Sequence, residues 1–215
     1  MVKGVQWNDD YWLLLLQVYL QKPIGVKPLY SKKMVSLAIE LHIHPQTLYN
    51  KMCALDRLET PRLERIWDKY SNNPDRLARA AKLLREMQGF SHADAFYEGV
   101  EMKETFEVFF RPIEGCAPFS PLMLTLVLDL YFRLTPHTMV PNTPEVVEVA
   151  KLMGIKPQQV AEVMQLFQVC DPYLNRTAPV STPLLEACQQ LWNEYGNTDP
   201  VQLEEYAAEL KHYFK

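Results

Sequence analysis

Glycine is scarce in this chain, with only seven among 215 residues. Loops that cradle phosphates or dinucleotides depend on glycine, and neither G-x-x-x-x-G-K-[ST] nor G-x-G-x-x-G occurs; G-x-S-x-G and H-E-x-x-H are missing too. Phosphoryl transfer and dinucleotide chemistry are therefore poor expectations. Long apolar runs are also lacking: the longest, Trp12 to Leu16, falls far below the roughly 20 residues of a membrane-spanning helix. No charged leader with a cleavage site precedes it, so neither export nor a membrane is expected. The four cysteines, Cys53, Cys116, Cys170 and Cys188, form no C-x-x-C pair. They read as reduced thiols of a cytoplasmic protein, with Cys53 and Cys170 partly buried, rather than as a disulfide framework.

What the chain does have is apolar side chains (48%) and aromatics (11%), enough for one large core or two small ones. The net charge of −4 is unevenly spread. Residues 1–90 carry 14 Lys and Arg against 9 Asp and Glu, and residues 91–215 carry 8 against 17. A positive first half suits an anionic partner, or attraction between the halves.

The chain also contains itself twice. Val35 to Leu55, VSLAIELHIHPQTLYNKMCAL, aligns without a gap on Val147 to Phe167, VEVAKLMGIKPQQVAEVMQLF, and residues 11–55 share nine identities with 123–167. Leu14, Leu16 and Tyr19 fall on Leu126, Leu128 and Tyr131. Trp67-x-x-Tyr70 returns as Trp192-x-x-Tyr195, followed by Asn73-Pro74 or Asp199-Pro200 and a leucine-spaced helix. A repeat of this length governs the whole fold.

In each copy the pattern predicts helices. An apolar helix over Trp12 to Leu20 stops before Lys22-Pro23. Ser31 and Thr143 are placed to cap the next helices by accepting backbone N–H groups, and the core faces there are built on Val35 and Ala38, or Val147 and Ala150. After a short turn, Pro45 or Pro157 opens a helix that buries Leu48, Met52 and Leu55, or Val160, Met164 and Phe167. Two more helices follow in each copy; the second copy carries about 13 extra residues, around DPYLNRTAPVSTP, expected as a surface loop. The fold class is thus all-α: two homologous helical domains, 1–87 and 121–215, each a tri-helical unit plus a C-terminal helix pair. Residues 88–120 form an aromatic-rich connector expected to pack between the halves. In it SHADAFYEGV suits a short helix capped by Ser91, FEVFFRPI a strand or extended tether, and EGCAPFSP a loop.

Ala38, Ile43 and Leu48, and again Ala150, Ile155 and Val160, stand at the spacing of the bacterial helix-turn-helix, which each copy resembles over about 21 residues. The whole is similar to a tandem duplicated bacterial helix-turn-helix-like protein. The resemblance implies a close crossing at Ala, a plug at Ile, and an anchored second helix, with Gly154 suited to the left-handed turn and His42 departing from it. In DNA-binding members the outward residues of the second helix enter the major groove. Here these would be Gln46, Thr47, Tyr49, Asn50 and Lys51. The second copy offers Gln158, Gln159, Ala161, Glu162 and Gln165, and the Glu162 carboxylate, standing where Asn50 stands, would repel phosphates. Arg76, Arg79, Lys82 and Arg85 form a stripe that could add phosphate contacts, or simply a solvated face.

The leading expectation is a non-enzymatic transcriptional regulator that contacts duplex DNA through its first copy. The alternative is a protein-interaction scaffold that keeps the repeated unit only as architecture. A third reading, an enzyme, would need a pocket between the halves lined by the connector's Glu and Tyr residues. No cofactor is implied. His42 and His44 diverge too much for a metal site, and Glu98, Glu101, Glu104 and Glu107 read as a solvated face. The paired Trp and Tyr residues could stack bases, but their helical spacing suits core packing better.

Overall fold

In a computed structural model the chain forms two compact units, Met1–Met102 and Lys103–Lys215. The structure describes residues 7–87, 90, 106–174, 176 and 181–215. Among them are ten α-helices and no strand. No described helix is long and apolar enough to cross a membrane. The expected Ser91 cap and the SHADAFYEGV helix, with Glu98, Glu101 and Glu104, lie outside the described residues.

Unit 1 contains α1 (Tyr11–Leu20), α2 (Lys32–Leu41), α3 (Pro45–Asp56), α4 (Pro61–Tyr70) and α5 (Pro74–Glu86). Unit 2 contains a 3-10 helix (Phe106–Phe110), then α6 (Pro121–Arg133), α7 (Pro144–Met153), α8 (Pro157–Cys170), α9 (Pro183–Tyr195) and α10 (Pro200–Leu210). Proline opens eight of these helices, where its missing N–H removes nothing from the hydrogen-bond ladder. Helices α2 and α3 begin and α2 ends in register with α7 and α8, 112 residues on.

Each core forms around the unit's first helix. In α1, Tyr11, Trp12, Leu14, Leu15, Leu16 and Tyr19 are buried, and α2, α3, α4 and α5 all pack on it. In α6 every residue from Leu122 to Tyr131 is buried, because α7, α8, α9, α10 and the 3-10 helix surround it. Two of these ten are polar and have partners: Thr125 donates to the Pro121 carbonyl (2.9 Å) and Asp129 pairs with Arg133 (2.7 Å). A helix otherwise apolar on every side is stable only when enclosed in this way.

The same latch recurs in both units. Tyr19 donates its hydroxyl to Asp56 at the end of α3 (2.6 Å), and Tyr131 donates to Asp171 just past α8 (2.8 Å). Trp67 meets Tyr19 edge-on with centroids 5.7 Å apart, and Trp192 meets Tyr131 in the same way at 5.7 Å. The tryptophans thus dock the fourth helix of each unit onto the first, Trp192 buried in the core and Trp67 half-buried at its edge.

Several expectations need correction. Neither Ser31 nor Thr143 accepts a capping hydrogen bond through its side chain. The Ser31 hydroxyl is buried without a partner, and the Thr143 hydroxyl donates to the Thr138 carbonyl instead. Val147 is 42% exposed, and the core face of α7 is built on Val146, Val149, Ala150 and Met153. FEVFF is neither strand nor extended tether but a 3-10 helix, Phe106–Phe110. It belongs to unit 2, where Phe109 lies against Tyr206 and Phe110 against Tyr213. Aromatic attachment to α10 and to the 3-10 segment Lys211–Phe214 after it favours a compact turn over an extended segment. Glu107 is no solvated carboxylate: it is 2% exposed and paired with Arg111 at 3.3 Å.

Candidate nucleic-acid interface

The turn between α2 and α3 is set by a few residues. At the end of α2, His42 adopts the left-handed conformation (φ 53°), and its backbone N–H donates to the carbonyls of Ala38 and Ile39. The Ile43 N–H returns to Ala38 (3.0 Å), and its side chain is 4% exposed. His44 then caps α3: its Nδ1 accepts from the Gln46 N–H at 3.2 Å. Burial lowers the pKa of His44, which favours the neutral ring that this acceptor role requires. Unit 2 repeats the turn with Gly154 (φ 69°) and the bond from Ile155 to Ala150 (3.0 Å).

Ala38, Leu48, Met52 and Leu55 are fully buried, and this fixes which side of α3 faces out. Of its five candidate DNA contacts, Gln46, Thr47 and Asn50 are exposed, with Gln46 Nε2 donating to Asn50 Oδ1 at 3.2 Å. Amide side chains of this kind suit base edges. Tyr49 and Lys51 are half-buried. The Lys51 ammonium lies over two indoles, 5.2 Å from the Trp7 centroid and 5.5 Å from that of Trp12. Sequence reasoning missed this because the partners stand about forty residues away, on α1 and just before it.

Helix α5 buries Leu77, Ala81 and Leu84 and exposes Arg76, Arg79, Lys82 and Arg85. These four cations do not act as one free stripe. Arg85 forms a two-pronged ion pair with Glu40 of α2 and also donates to Gln17 of α1 (3.4 Å), so it joins three helices. Lys82 pairs with Glu86 (3.7 Å), Arg79 donates to the Asp75 carbonyl (3.3 Å), and Arg76 lies over the Tyr70 ring (5.6 Å). Exposed ion pairs of the Lys82 type contribute little and yield readily to a better partner. Helix α5 packs on α1 and α4, whereas α3 packs on α1 and α2.

In unit 2, Gln158, Glu162 and Gln165 are exposed, and Gln158 donates to Glu162 at 3.3 Å. Ala161, expected to face outward, is 2% exposed. Its methyl group is small enough to be enclosed where Tyr49 of unit 1 stays at the margin. All four cysteines are free thiols. Burial pushes Cys188 up to about 12 and Cys170 to about 11, which keeps both protonated and unreactive at neutral pH. Among the described residues no group of three or more His, Cys, Asp or Glu side chains could hold a metal ion. Compared with known proteins, the chain matches no family model, no curated protein and no solved structure.

Proposed function

We propose that the protein is a tandem helix-turn-helix-like regulator, without enzymatic activity, whose first unit binds duplex DNA. We read the two units as copies of one ancestral domain, the second having become architectural. The observation that carries the reading is the division of α3. Its inner side is anchored by Leu48 and Met52 behind the Ala38–Ile43 turn, while Gln46, Thr47 and Asn50 stand open together on the outer side. Arg76, Arg79 and Lys82 supply exposed cations within a half of the chain that carries excess positive charge. Four unbridged thiols suit a reducing compartment, so we assign the protein to the cytoplasm.

The test is fluorescence anisotropy of labelled random duplex at low and at physiological salt. Binding should weaken steeply with salt, and replacing Arg76, Arg79 and Lys82 with Ala should reduce that dependence by close to one unit of log–log slope for each phosphate no longer neutralised. Arg85 is left in place because of its pair with Glu40. A second reading, a protein-interaction scaffold, is favoured by Leu83 and Met87, which are 64% and 59% exposed on and just after α5. Absence of duplex binding even at low salt would reject the regulator in its favour.

A further inference from the structure

The Lys51 clasp differs from its counterpart in unit 2 in a way that core packing does not require. At the same 112-residue offset, Trp7, Trp12 and Lys51 correspond to Phe119, Leu124 and Val163, which are 7%, 0% and 0% exposed. Unit 2 fills these positions with apolar groups. Unit 1 instead has a half-buried lysine whose ammonium lies over the faces of two indoles, themselves packed together at 4.8 Å. Ring faces are a modest partner for an ammonium. A phosphate oxygen, with full negative charge and a hydrogen-bond acceptor, supplies a stronger one. The flexible four-carbon stem of lysine can carry its charge from one to the other without moving α3. Lys51 directly follows Asn50 on the helix whose outer face we read as contacting DNA.

We propose that Trp7 and Trp12 hold Lys51 in reserve and that a DNA backbone phosphate draws its ammonium off the rings, coupling duplex capture to opening of this clasp. The inference rests on the reading of α3 as the DNA-contacting helix. It makes the indole pair a built-in reporter, and it makes the clasp a restraint that lowers affinity in proportion to how fully it is closed.

The experiment titrates random-sequence duplex into the full chain at low salt, with anisotropy and tryptophan emission followed together. A Trp67→Phe, Trp192→Phe background leaves Trp7 and Trp12 as the emitting indoles. Emission should change with the same midpoint as anisotropy. Lys51→Met should bind several-fold more weakly, with no emission change and a salt slope smaller by about 0.9. Trp12→Leu, which installs the residue of the corresponding position in unit 2, should bind a few-fold more tightly. Lys51→Arg should restore the salt slope. Duplex binding with unchanged emission, or a Lys51→Met slope equal to that of the parent, overturns the clasp while leaving DNA binding intact. Absence of binding by the parent chain at low salt removes both. If Lys51→Met fails to fold, as judged by circular dichroism, Trp12→Leu decides alone: affinity equal to or weaker than that of the parent overturns the clasp.

Discussion

A tyrosine hydroxyl in each unit ties the first helix to the end of the third, and the two positions lend themselves to a direct test. Hydrogen bonding to Asp56, with burial, raises the Tyr19 pKa to about 12. Since tyrosine in an unfolded chain titrates near 10, the latch contributes fully below about pH 10 and is lost as pH rises toward about 12. Tyr19→Phe should cost about 1 kcal/mol at neutral pH and should flatten the alkaline limb of a melting-temperature profile. At this scale the sequence was legible in part. Tyr19 and Tyr131 align with each other, yet Asp56 and Asp171 do not, because α8 runs further than α3 before its carboxylate comes within reach. Ser31 shows the converse: a good capping residue type at a helix start whose side chain is buried away from the backbone N–H groups it could serve.

Helix boundaries were more legible than single contacts, because proline, periodic leucines and the left-handed turn act locally. Gly154 takes φ 69°, and a Cβ there would meet no atom within 4 Å. Any penalty for a side chain is therefore one of backbone conformation. Gly154→Ala should destabilise unit 2 by about 1 kcal/mol in urea unfolding. The His44 cap gives a pH prediction of opposite sense to that of Tyr19. Because burial lowers the pKa of His44 below 6.5, the cap holds above that pH and is lost as acid protonates Nδ1. His44→Asp, which keeps an acceptor in mild acid, should gain in melting temperature over the parent as pH falls from about 7 to about 5. The Phe106–Phe110 segment escaped sequence reasoning for a related reason. Aromatic and β-branched residues suit a strand, whereas the 3-10 turn brings Phe109 and Phe110 against Tyr206 and Tyr213, about a hundred residues away.

For the molecule as a whole, two cores imply that damage to one stays local. Leu48→Ala empties a fully buried position in unit 1 and should cost about 2–5 kcal/mol there. Calorimetry should show the transition of unit 1 moving down while that of unit 2 holds its temperature. All-α architecture was legible because proline starts and leucine periodicity occur in both halves of the chain, Pro45 and Pro157 at a 112-residue offset. The charge pattern was less so. Counting cations could not reveal that Arg85 is held by Glu40, or that the Lys51 ammonium lies over two indoles.

The enclosed helix α6 sets a demand on synthesis. Its ten consecutive buried residues emerge from the ribosome well before α10, one of the helices that cover them, exists. At ~5–20 residues per second, the stretch from Arg133 to Pro200 takes several seconds or more to add. Until the last of these helices is added, part of a leucine-rich surface lacks its cover, so a chain arrested before α10 should aggregate more readily than the full one.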